Sequence, residues 1–129
     1  MIAPHVFEAI EELKATFSGL ETLTEPDGSG GARVLLEHVP LGGIYKPEDT
    51  WLGGHVPVQI PYADVYPLFV RGDLSRVDGR PLGDAMSPGH AFMNRSAVQV
   101  SRRSNGRDPK IETPAIKFLK VIEWIRNRP

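Results

Sequence analysis

The side chains best suited to chemistry fall in one stretch of the chain: His90, Asn94, Ser101, Arg102 and Arg103. A histidine or asparagine at the mouth of a site can donate a hydrogen bond to a developing oxyanion. A serine becomes a nucleophile when a base lies beside it. His90, Asn94 and Ser101 are therefore the catalytic candidates. Arg95, Arg102, Arg103 and Arg107 form a local basic run, and forked guanidinium groups suit a carboxylate, a phosphate or an acidic tail. A structural reading competes with this one. Asn and Ser hold turns through their own backbone, and Asp108 and Glu112 offset the arginines on a solvated surface.

Several chemistries are excluded or lack support. Ser101 has no Gly-x-Ser-x-Gly elbow around it, and nothing in the sequence brings His5, His38, His55 or His90 to its side. The histidines lack the spacing of a zinc site, so no metal and no cofactor are expected. The chain contains no cysteine, which removes disulfides, thiolate nucleophiles and thiolate ligands together. Gly28, Gly30 and Gly31 precede no Lys-Ser/Thr pair and no helix start, so they form no phosphate-binding loop. Trp51, Tyr62, Tyr66, Phe69 and Trp124 show no ribonucleoprotein-type spacing and read as packing groups. A net charge of -1 argues against a nucleic-acid or membrane-surface partner. No apolar run approaches the roughly 20 residues that span a bilayer. The opening Met1-Ile2-Ala3-Pro4-His5 has neither a basic nor an apolar leader region. A cytoplasmic location is expected.

The elements that would position these groups follow from periodicity. The 129 residues, 40% hydrophobic and 24% charged, suit one domain over 1–129. Val6, Ile10, Leu13 and Phe17 recur at helical spacing, with Pro4 in the first turn and Gly19 as the stop. Leu20 to Thr24 alternates weakly, the turn signal Pro26 to Gly31 follows, and Ala32 to Val39 reads as the returning strand. Trp51 to Pro61 reads as a third strand, with Pro57 marking a bulge, an edge or a late start. Tyr66 to Val70 reads as a fourth. Arg71 to Pro109 reads as a long irregular segment with a possible short strand at Ala97 to Val100. A last helix begins at the cap Thr113 and Pro114, with Ala115, Phe118, Leu119, Ile122 and Ile125 as its apolar face and Lys117, Lys120 and Glu123 outward. The expected class is α+β: N-terminal helix, four-stranded antiparallel meander, long irregular segment, C-terminal helix.

That order, with several local motifs, resembles the ubiquitin-conjugating (UBC) fold. Ile60 to Val70 resembles the family's strand, proline and Tyr-Pro stretch through Tyr66-Pro67, although Leu68 and Phe69 stand where the Pro-Pro pair is missing. Gly72 to Leu82, with Asp73-Leu74 and Asp78-Gly79, is similar to a prokaryotic branch of the superfamily, as are Ser101-Arg102-Arg103 and the apolar helix face from Leu119 to Trp124. The resemblance spans roughly Val6 to Arg126 and rests more on order than on any single short motif. It implies a UBC-like component of a bacterial modifier system. The implied partners are a ubiquitin-like modifier, an activating enzyme or a deconjugating peptidase, with Tyr66, Arg95, Arg102 and Arg103 as binding residues. The family's cysteine belongs between about Asn94 and Ser104, and that stretch holds none. The resemblance implies a transferase only if Ser96, Ala97, Ser101 or Ser104 stands in place of a natural cysteine. As it stands, the resemblance implies a non-catalytic or atypical member. The alternatives are a small-molecule-binding or hydrolytic domain using His90, Asn94 and Ser101 to Arg103, or a structural adaptor.

Overall fold

The computed structural model describes residues 1–104 and 106–129. Helix α1 runs from Pro4 to Thr16 and buries Val6, Ile10 and Leu13. It stops one turn before Gly19: Phe17 leaves helical geometry and its N–H closes on the Leu13 carbonyl. Strand β1 (Thr22–Pro26) and β2 (Ala32–Pro40) form the first hairpin. A two-residue strand β3 (Tyr45–Lys46) precedes β4 (Asp49–Val56). Then come β5 (Leu68–Arg71), a second two-residue strand β6 (Ser75–Arg76), β7 (Met86–Phe92), β8 (Arg95–Val100) and helix α2 (Pro114–Arg126).

The main sheet has six strands in the order β1-β2-β4-β5-β8-β7, each antiparallel to its neighbours, while β3 and β6 pair separately. The class is α+β, with a helix before the strands and a helix after them. The segment read as irregular is not so. It contributes β6 and the β7–β8 hairpin, which lies against β5 through Leu68↔Val100 and Val70↔Val98. The composition conceals β7, because only Met86 and Phe92 of its seven residues are buried, and Pro88-Gly89 sits where its register against β8 shifts. Asn105, inside the same segment, lies outside the described residues. The third strand starts earlier and ends before Pro57, which has no N–H to give to a ladder.

Two clusters sit on the two faces of the sheet. Val34 and Leu36 of β2, Leu52 and Val56 of β4, Leu68 and Val70 of β5, and Val98 and Val100 of β8 pack with both helices. Gly54 belongs to this inner face, where a Cβ would run into Leu68 and Val65 under the ring of Phe118. The opposite, outer face carries Leu35, Trp51, Phe92 and Ala97, joined by Leu23, Phe69 and Met93, and no helical residue takes part. Phe92 lies across the sheet over Gly53, which has no side chain to obstruct it. The period of two along the strands makes this division, since alternate side chains point to opposite faces.

Thr113 caps α2, its hydroxyl accepting from the Ile116 N–H at 3.3 Å. Two residues of this helix depart from expectation. Leu119 is 46% exposed, and Lys117, expected outward, is buried at 3%. The buried stripe Pro114, Phe118, Val121, Ile122 and Ile125 includes the angular position of Lys117, four residues before Val121. The fold buries that position whatever residue stands there.

Candidate functional site

The bend before β5 brings Asp64 and Tyr66 against the chain that leaves β8 and against α2. The buried Lys117 ammonium donates to Asp64 Oδ2 at 3.0 Å, to the Arg102 carbonyl at 2.6 Å and to Ser104 Oγ at 3.0 Å. The Ser104 N–H donates to the same Asp64 oxygen at 3.1 Å. An ammonium has three protons, and all three are engaged, with a carboxylate to balance its charge. Lys117 is thus a structural clamp, not a base for Ser104.

The clamp fixes the backbone that carries Arg102 and Arg103. The Arg103 guanidinium lies 4.1 Å from the centre of the Tyr66 ring, and that of Arg102 lies 4.9 Å from the centre of Trp124. Arg128 approaches the Trp124 ring at 4.5 Å. Arg102 and Arg103 are exposed, and among the described residues neither donates to a carboxylate or a carbonyl. Other arginines are more fully engaged: Arg71 on Asp49 and Asp73, Arg76 and Arg80 on Asp78, Arg126 and Arg128 on carbonyls, while Arg33 gives only Nη1 to Glu25. Aromatic faces hold the two guanidinium planes while leaving their edges free to donate. Between them runs a groove of about 210 Å³, lined also by Ser104, Lys120, Val121 and Trp124. Lys120 in turn pairs with Glu112.

The other sequence candidates lie elsewhere. Asn94, with φ +64, and Met93, with φ +48, form the two-residue turn between β7 and β8. Their left-handed backbone is that of a tight hairpin, which asparagine tolerates well. Ser101 follows the far end of β8, about 23 Å of extended strand from Asn94. Its N–H donates to the Ala85 carbonyl at 2.7 Å, and its Oγ accepts from Gln99 Nε2 at 3.1 Å. His90 is exposed on β7 with its ring 6.5 Å from Phe69. It pairs in register with Ala97, four residues before Ser101. His90, Asn94 and Ser101 therefore do not converge on one point. The remaining histidines do not supply a base either: His5 contacts the Val58 carbonyl at 2.7 Å, His38 faces Asp49 at 3.5 Å and His55 contacts Asp27 at 2.6 Å.

Arg95 is also separated from its sequence neighbours Arg102 and Arg103. It makes a two-pronged pair with Glu37 at 3.0 and 2.8 Å on the outer face. That hydrogen bonding holds the Glu37 carboxyl below the usual carboxylate range. Arg107 donates to the carbonyls of Tyr62 and Glu112 and serves the loop. Of the binding candidates, the structure brings together Tyr66, Arg102 and Arg103 and leaves Arg95 out.

Sequence reasoning missed two arrangements. One is the Lys117 clamp, whose signal was the buried stripe of α2. The other is the pair Asp27–His55. Asp27 follows β1 in the first hairpin turn, where its Oδ1 accepts from the N–H groups of Ser29 at 2.7 Å and Gly31 at 3.0 Å. His55 reaches Oδ2 from β4, and its bond, followed by that from Ser29, holds the Asp27 carboxyl below its ordinary range. Only the register Arg33↔His55 brings these residues together, and no local pattern encodes it.

Among the described residues no three histidine, aspartate or glutamate side chains gather as a metal site, and no helix is long and apolar enough to cross a membrane. Compared with protein-family models, curated proteins and solved structures, the chain finds no match.

Proposed function

We propose that the chain is a UBC-like, non-catalytic component of a bacterial ubiquitin-like modifier system. It binds a modifier or a partner enzyme through the groove between Tyr66, Arg102, Arg103 and α2. One observation carries this reading. The three stretches behind the family resemblance, Tyr66-Pro67, Ser101-Arg102-Arg103 and the last helix, are far apart in the chain, yet they meet. Arg103 covers Tyr66 and Arg102 covers Trp124. The meeting point holds two guanidinium groups available for an anionic segment, and charge-assisted forked hydrogen bonds are strong and directional.

The absence of cysteine shapes the reading. Thioester transfer needs a thiolate that attacks readily and leaves readily. The hydroxyls at hand are engaged: Ser101 accepts from Gln99, and Ser104 accepts from a lysine whose protons are all in use. Binding without transfer is the activity that these groups support. Hydrolysis by Ser101 lacks a base, and no observation favours it.

The test uses the purified chain with candidate modifier and activating proteins from the same genome. The expected result is a reversible complex with no thioester or ester adduct. Arg102→Ala/Arg103→Ala should weaken the complex about a hundredfold, two charge-assisted contacts at roughly tenfold each. A complex indifferent to both arginines, or no complex and no adduct with any candidate, overturns the reading.

A further inference from the structure

The outer face of the sheet holds a second groove, which shares no lining residue with the first and has a volume of about 500 Å³. Its floor is aromatic. Phe69 and Phe92 stack with centroids 5.0 Å apart and planes 18° from parallel, and both line the groove. Gly53 allows Phe92 to lie there. The wall mixes the polar side chains of Asp27, Arg33, His55 and Gln59 with the apolar Pro57 and Val58.

Two of these polar groups are prearranged. The Asp27 side chain is only 9% exposed, and its two oxygens take three hydrogen bonds, from Ser29, Gly31 and His55. Gly31 is pressed against it so closely that a Cβ would strike Asp27 Oδ2 and the Val56 carbonyl. The carboxylate is therefore locked, and it locks the imidazole. With Nε2 committed to Asp27, the half-exposed His55 ring has Nδ1 as its remaining polar atom, an acceptor in the neutral ring. Beside His55, Arg33, its register partner on β2, pairs with Glu25 through Nη1 at 2.8 Å. Its Nε and Nη2 make no hydrogen bond among the described residues. The groove thus offers a stacking floor, one acceptor and one cationic donor, and its size is within the range of small-molecule sites.

We propose that this groove binds a small planar aromatic acid bearing a hydrogen-bond donor, such as a hydroxylated aryl carboxylate. The ring lies on Phe69 and Phe92, the hydroxyl donates to His55 Nδ1 and the carboxylate accepts from Arg33. The site is independent of the modifier-binding reading.

The probes are 4-hydroxybenzoate, benzoate and phenol, titrated into the full chain and followed through backbone amide resonances. 4-Hydroxybenzoate should give saturable shifts at Phe69, Phe92 and His55, and it should bind about tenfold tighter than either fragment, the worth of one hydrogen bond to a charged or oriented partner. Arg33→Gln should abolish its advantage over phenol, and His55→Phe its advantage over benzoate. If His55→Phe fails to fold, the three probes on the natural chain still decide. Equal affinity for all three, no saturable shift up to the solubility limit, or shifts centred on Trp124 and Arg102 would each overturn the proposal. Shifts at the outer face that survive Arg102→Ala separate this site from the partner-binding groove.

Discussion

Lys117 shows how one side chain can organise a surface it does not itself present. Its ammonium is buried, balanced by Asp64 and bonded to two further oxygens, and it holds in place the backbone of Arg102. Removing one member of a buried pair leaves the other uncompensated, so Lys117→Met should cost about 3 kcal/mol in urea denaturation. Adding Asp64→Asn should recover part of that loss. The pair Glu37–Arg95 makes a prediction of another kind. Because Arg95 lowers the Glu37 pKa in the folded protein, the stability it contributes is complete above the ordinary glutamate value, about 4.3. It is lost as the pH falls through that value and then through the lower folded one. Glu37→Gln should flatten this acid limb in a series of denaturation curves, while Asp73 and Asp78, also lowered by arginines, keep the remainder. At this scale legibility was uneven. Burial at position 117 was readable from the stripe through Val121 and Ile125, but the lysine's charge argued the other way. Tyr66, Arg102 and Arg103 could be singled out by type and motif order, and the structure brings them to one groove. Asp27 and His55 were not, because a strand register between β2 and β4 must be known before they become neighbours.

The elements whose periodicity is strong were the ones the sequence revealed. Both helices, β2 and the start of the hairpin turn follow from apolar spacing and capping. The β7–β8 hairpin did not, since β7 buries two residues and its turn contains no glycine. That turn tests the role of Asn94. Both of its residues have positive φ, where glycine carries no steric penalty. Asn94→Gly should therefore be neutral or gain up to about 0.5 kcal/mol in thermal denaturation, with partner binding unchanged. A loss of binding would return Asn94 to the site. Tyr45 joins elements that the sequence shows only as irregular connections. Its hydroxyl donates to the Ile125 carbonyl at 2.8 Å, tying the β3–β6 pair to α2. Tyr45→Phe should cost about 1 kcal/mol, the net worth of such a bond. Burial raises the Tyr45 pKa, so its contribution is complete below about pH 10 and lost as the pH rises past the ordinary tyrosine value toward the higher folded one. The phenylalanine variant should show a shallower alkaline decline.

The molecule as a whole uses its sheet twice. One face is sealed by the helices and the other is left to side chains alone. The α+β class and the helix-strands-helix order were readable because each rests on local patterns. The six-strand arrangement and the two grooves were not, because they depend on contacts between distant parts of the chain. This layout has a consequence for synthesis. Helix α1 precedes the strands but α2 follows every one of them, so a nascent chain has translated all six strands of the sheet before the second half of their cover exists. Until then the part of that face that Phe118, Val121 and Ile125 of α2 will cover is open to water, or a chaperone, and exposed apolar strands are prone to association. A ribosome-tethered chain ending at Glu112, carried clear of the exit tunnel by a linker, should be cut readily by protease within β4 and β5. One extended past Arg126, with a linker long enough to clear the exit tunnel, should resist. Equal protection of the two would show that the sheet is stable without its last helix. The interval between those two lengths is when this protein is most exposed to aggregation, and it is set by the position of a single helix in the chain.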